Sequence, residues 1–121
     1  MRDYRRIDAW TKSDELTLSI YKETKSFPAQ ERFGITSQLR RAAYSVPANI
    51  AEGSARETKR DYLRFLHMAR GSLTEAQYFI DLSHRLGYLD NSQNALLADK
   101  VKVAFSTLHG LIRAVEREVG T

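Results

Sequence analysis

Residues 35–54 read ITSQLRRAAYSVPANIAEGS, and the spacing of their apolar side chains decides the fold. Ile35, Leu39, Ala43, Val46 and Ile50 step by four, four, three and four. That is one helical face, because side chains three and four apart project from the same side of a helix. Pro47 lies inside the pattern. It has no amide hydrogen and its ring crowds the carbonyl of Ala43, so the spacing predicts a helix kinked at Pro47. Two short helices broken at Val46 are the rival arrangement; the apolar phase runs through Pro47 without slipping, which favours the kink. Gly53 and Ser54 supply the stop.

The flanking segments repeat the same period. Before this helix, Trp10, Leu16, Ile20, Tyr21 and Phe27 mark a first helix from Asp8 to Phe27, with Ser13 and Thr24 beside the stripe. The Phe27-Pro28 step ends it, since a residue preceding proline is pushed out of helical geometry. After it, Thr58-Lys59-Arg60-Asp61 resembles a capping box with Asp in place of Glu. A stripe of Tyr62, Phe65, Leu66, Ala69, Leu73, Ala76 and Ile80 then continues to Leu86, with Gly87 as a left-handed stop. A helix of about 27 residues would be ~40 Å long. Asp90-Asn91-Ser92-Gln93 can cap a last helix whose stripe is Leu97, Val101, Ala104, Leu108, Leu111, Ile112 and Val115. Short connections make consecutive helices antiparallel, so the expectation is one all-α domain over residues 1–121, an up-and-down four-helix bundle.

Composition narrows the chemistry. The chain has no cysteine, which removes disulfides, thiolate metal sites and a thiol nucleophile. No apolar run approaches the ~20 residues of a membrane span. The first ten residues hold three arginines and no signal-peptide core. The expected location is cytoplasmic, away from membranes. The sequence contains no GxxxxGK[ST] phosphate loop, HExxH pair or GxSxG elbow. His67, His84 and His109 never stand three or four apart. Glu52 and Glu75 could face each other across two helices, but neither belongs to the Glu-x-x-His motif of a di-iron bundle. The expectation is a non-catalytic protein without metal or cofactor.

Two polar groupings remain. Gln38, Arg41, Ser45, Asn49 and Glu52 fall within a sector of ~80° beside the apolar face of the second helix. Ser72 and Glu75 occupy a comparable flank of the third. These suit a polar network at a helix or subunit boundary, with Arg41 paired to Glu52 or Glu75, or a cleft for a small polar ligand. Charge is also concentrated. Residues 40–70 hold Arg40, Arg41, Arg56, Lys59, Arg60, Arg64 and Arg70 against Glu52, Glu57 and Asp61, a surplus of four that equals the net charge of the whole chain. Arg56, Lys59, Arg60 and Arg64 cluster at the corner between helices two and three. Lys59 and Arg60 there oppose the helix dipole, so a phosphate-bearing partner is a better reason for them than local helix stability. Tyr44, Tyr62 and Phe65 lie near enough to stack on bases, although the last two belong to the core stripe. Tyr78, Phe79 and Tyr88 give the third helix a second apolar side, as expected of a surface covered by another subunit.

The motifs SQLRRAAYSVPANIAEGSAR (37–56) and FLHMARGSLTEAQ (65–77), together with Trp10, Tyr21, Phe27-Pro28, Glu31 and Gly34, resemble the bacterial four-helix-bundle family, also called the ribosomal RNA intervening-sequence protein family. The resemblance implies an up-and-down bundle that assembles as a ring-like homopentamer. Some relatives are encoded within intervening sequences of large-subunit ribosomal RNA genes. A related accessory protein of diversity-generating retroelements is a basic pentamer that binds nucleic acid and a reverse transcriptase. The resemblance therefore implies RNA or DNA as a partner, or a protein such as a reverse transcriptase for which this chain is an adaptor. It places Arg40, Arg41, Asn49, Glu52 and Glu75 at structural or interfacial positions. Lys59, Arg60 and Arg64 lie outside the signature, and their assignment as nucleic-acid contacts rests on charge.

Overall fold

The computed structural model describes residues 3–120, so residues 1, 2 and 121 at the limits of the expected domain lie outside it. Four helices carry the chain: α1 (Asp8–Glu23), α2 (Ile35–Ser54), α3 (Lys59–Arg85) and α4 (Asn91–Val119). There is no strand among the described residues. The remaining regular structure is three short 3-10 turns, Tyr4–Arg6, Thr24–Ser26 and Ala29–Glu31.

α1 and α3 each pack on α2 and α4, which makes a square bundle. Contacts between neighbours set the antiparallel order. Arg40 of α2 reaches Thr24 just beyond α1, while Ala43 meets Thr17 further up it. At the opposite corner Lys59, which begins α3, meets Glu118 near the end of α4. The core is the set of stripes read from the sequence: Leu16, Ile20, Leu39, Val46, Ile50, Leu66, Leu73, Leu97, Val101 and Leu108 are all buried.

Local chemistry explains the ends. Thr58 caps α3 by accepting from the Asp61 amide at 3.1 Å. Asp61 does not complete the expected capping box, because its carboxylate is engaged by arginines instead. Asp90 and Gln93 form a full box at the start of α4. Gly87 adopts φ +81°, the left-handed stop. α1 ends at Glu23, earlier than Phe27, because the chain tightens into the 3-10 turn before Phe27 becomes extended ahead of Pro28.

α2 is continuous through Pro47, which removes the arrangement of two helices broken at Val46. α2 ends at Ser54, at the expected Gly53-Ser54 stop, although Gly53 itself is not left-handed. It lies inside α2, where an added Cβ would come within 2.7 Å of Phe65 Cβ and 3.0 Å of Tyr62 Cδ1. Its missing side chain lets the end of α2 approach the start of α3.

Candidate nucleic-acid interface

The corner between α2 and α3 brings its cations together, but together with acids. Arg56 lies 2.8 Å from Glu52 and 3.7 Å from Asp61. Arg64 holds Asp61 at 3.0 Å, and Lys59 holds Glu118 at 2.8 Å. Both Arg56 and Arg64 also place their guanidinium carbons 4.6 Å from the centre of the Phe65 ring. Arg60 is exposed and makes no ion pair among the described residues. Three of the four cations thus meet Glu52, Asp61 and Glu118, and with Arg60 and Glu57 counted the corner is neutral in formal charge. Of the expected positive elbow, Arg56, Lys59 and Arg64 are paired with acids and Arg60 stays open to solvent. The acid outside the local sequence is Glu118, fifty-nine positions from Lys59 and delivered by the antiparallel return of α4.

The polar stripe on α2 does not close on itself. Gln38, Arg41 and Glu52 are exposed, Ser45 and Asn49 half-buried. Asn49 donates to the carbonyl of Ser45 at 2.8 Å. On α3, Ser72 is half-buried and Glu75 exposed. Arg41 forms no ion pair with Glu52 or Glu75, contrary to the expected bidentate pair; Glu52 is held by Arg56 instead. Eleven residues of helix separate Arg41 from Glu52, ~16 Å along the axis, beyond an arginine's reach. Nor do Glu52 and Glu75 converge. Gly53 sits against Tyr62 and Phe65, so Glu75 is ~15 Å further along the bundle.

The histidines face separate partners. His67 Nδ1 is 2.9 Å from Arg70, His84 Nε2 is 2.8 Å from Asn91, and His109 packs on Phe105. No group of three or more His, Cys, Asp or Glu side chains that could hold a metal ion occurs among the described residues. The grooves between helices are open and modest. One of about 310 Å³ lies between Lys12 and Glu15 of α1 and Leu96, Asp99, Lys100 and Val103 of α4.

With the corner neutral, the chain's net charge of +4 must lie elsewhere. One concentration is the outer face shared by α1 and α2, of which the sequence pattern singles out Arg40, Arg41 and Tyr44. Arg40 Nε donates to Thr24 Oγ1 at 2.8 Å and its Nη2 to the Tyr21 carbonyl at 3.4 Å. Its guanidinium carbon stands 4.6 Å from the Tyr21 ring centre. Arg40 thereby straps α2 to the carbonyl end of α1, where positive charge is favourable. Leu18, Tyr21 and Lys22 share that side of α1 at i, i+3 and i+4, Lys25 follows in the 3-10 turn beyond it, and Arg40, Arg41 and Tyr44 share the adjoining side of α2. Tyr21, which the helical period puts on the core stripe, is 38% exposed. The signal for this face is a Tyr-Lys-x-x-Lys run opposite an Arg-Arg pair across one short connection.

Tyr88, expected on a second apolar side of α3, follows Gly87 in the connection to α4. It packs on Phe27 and donates its hydroxyl to Glu31 at 2.8 Å. Phe79 is half-buried against the core. Met68 and Tyr78 are the large apolar side chains that α3 leaves exposed.

These features define a class: a small antiparallel helical bundle with a filled apolar core and with cations and exposed tyrosines on its outer faces. Within that class the chain belongs to the family described as 23S rRNA-intervening sequence protein, which it matches over residues 5–110. Its fold is similar to a crystal structure from Bacteroides thetaiotaomicron, described as a protein with unknown function from the S23 ribosomal protein family. The two are 24% identical with a TM-score of 0.76, covering 86% of this chain and 97% of the other. No curated protein matches the chain. No helix among the described residues is long and apolar enough to cross a membrane.

Proposed function

We propose that this protein is a non-catalytic, self-associating helical scaffold that binds the phosphate backbone of RNA or DNA. The observation that carries the reading is the outer surface. Met68 and Tyr78 stand exposed on α3, whose opposite side already fills the core, and the cations Lys22, Lys25, Arg40 and Arg41, unpaired among the described residues, lie on the outer face of α1 and α2. Exposed apolar side chains on core helices suit copies of the chain packing together, and surplus cations suit a polyanion. Light scattering after size exclusion tests assembly, with a particle near five times the 13.9 kDa chain expected and a monomer overturning it. Fluorescence anisotropy against salt tests binding. The logarithm of affinity should fall by ~0.7–0.9 for each phosphate contact per log unit of salt, and no binding at low salt overturns the reading.

A second reading is an adaptor that docks another protein, such as a reverse transcriptase. It is favoured by Phe33, 84% exposed between α1 and α2 with Arg32 5.2 Å from its ring centre. Under this reading Phe33→Ser abolishes capture of that partner and leaves the particle mass unchanged.

A further inference from the structure

We infer that the outer face of α1 and α2 is a stacking platform for single-stranded nucleic acid, on which unpaired bases lie against Tyr44 and the Tyr21–Arg40 stack. This rests on the nucleic-acid reading above and adds the form of the strand and the place where it binds.

Charge excludes most other occupants. Lys22, Lys25, Arg40 and Arg41 form no ion pair among the described residues. On the same side of α1, Asp14 and Glu15 stand one turn before Leu18 and bound the patch, Glu15 lying 3.9 Å from Lys12, while Glu23 is half-buried beside Lys22. Four uncompensated cations beside two exposed tyrosines suit a polyanion that also offers flat aromatic surfaces.

The arrangement selects a single strand. A duplex hides the faces of its bases in its own stack and shows only edges and phosphates. Tyr44 is 47% exposed and one helical turn from Arg40. The Arg40 guanidinium has one side on Tyr21 and is fixed by its bonds to Thr24 and the Tyr21 carbonyl. A guanidinium plane held in this way can take a base on its other side, as arginines do when they recognise unstacked RNA. From Leu18 through the end of α1 to Lys25 in the 3-10 turn the face runs ~10 Å, enough for about three stacked nucleotides at ~3.4 Å each. Lys22, Lys25 and Arg41 then lie at the margins, where the phosphates of a strand with inward bases would run.

The test uses the full chain, a short fluorescein-labelled oligouridine and an RNA duplex of the same length, read by anisotropy at low salt. The oligouridine should bind more tightly than the duplex. Tyr44→Ala should weaken it about tenfold, the equivalent of ~1.4 kcal/mol and within the range for removing one stacked base. Tyr44→Phe should restore binding, whereas Tyr44→Leu, which keeps apolar area without a ring, should not. Equal binding of both probes, unaltered by Tyr44→Ala, overturns the platform and leaves the broader function standing. If neither probe binds, the nucleic-acid reading fails and takes the platform with it. A fall in particle mass for Tyr44→Ala assigns this face to contact between copies and overturns the proposal.

Discussion

The hydroxyl of Thr17 lies 3.1 Å from the carbonyl oxygen of Ala43, the acceptor that Pro47 leaves without an amide partner. The same hydroxyl is 2.9 Å from the Ser13 carbonyl, so one buried donor serves both helices. A proline inside a helix orphans a carbonyl four residues back, and burial makes the orphan costly. Here α1 supplies the substitute. Thr17→Val keeps the shape and removes the donor, and should destabilise the bundle by ~1–2 kcal/mol in urea unfolding. Pro47→Ala restores the amide, so the two changes together should cost less than their sum. Strict additivity would show that Thr17 does not compensate for the proline.

Gly53 makes a sharper demand. A methyl group there has no room against Phe65 and Tyr62, both buried residues fixed by the core. Gly53→Ala should raise local helix propensity yet destabilise the fold by ~1–3 kcal/mol, because overpacking outweighs the backbone entropy gained. A urea midpoint equal to or above the parent's would show that α2 and α3 can part there at little cost.

These cases divide what the sequence can reveal from what it cannot. Ile35 to Ile50 and Tyr62 to Ile80 are legible because helix period is local and repeats over several turns. The role of Gly53 is not, since a glycine near a helix end reads equally as a stop or as a place of close approach, and only the docking of α3 decides. The pairing of Lys59 with Glu118, and of Arg40 with Thr24, depends on the register between helices, which no local pattern encodes. Tyr88 reads as part of an outer face because its position after Gly87 hides the reversal that carries it back onto Phe27 and Glu31. The fold is thus written in short-range periodicity, and the candidate surface in which long-range pairs neutralise which charges.

The Tyr88–Glu31 hydrogen bond gives stability a pH dependence at the alkaline end. Donation to the Glu31 carboxylate, helped by desolvation and by that negative charge, raises the Tyr88 phenol above its ordinary value of about 10. A group whose folded value is raised contributes stability below its unfolded value and loses it as pH rises through the folded one. Tyr88→Phe should therefore lower the urea midpoint at about pH 8 and narrow that deficit above about pH 10, as the parent loses its bond and the variant does not. No deficit at about pH 8 would mean that the hydroxyl contributes nothing and that the ring's packing on Phe27, which the variant keeps, is what residue 88 supplies.

The corner between α2 and α3 supplies a control for binding measurements. Its ion pairs are exposed, and such pairs contribute little, so Lys59→Ala should cost no more than ~1 kcal/mol. Reversing Arg56, Lys59 and Arg64 together would strand Glu52, Asp61 and Glu118 as a cluster of like charge. A loss of nucleic-acid binding in that variant would then mix repulsion with the removal of cations. Arg60 is the clean probe because it has no acid partner among the described residues. If the cations that meet phosphate are those of α1 and α2, Arg60→Glu should leave affinity within about twofold. Replacing Lys22 and Lys25 with alanine should instead reduce the salt slope by ~0.7 for each single-strand phosphate that is no longer neutralised. A large loss from Arg60→Glu with an unaltered slope in the lysine variant would return the binding surface to the corner.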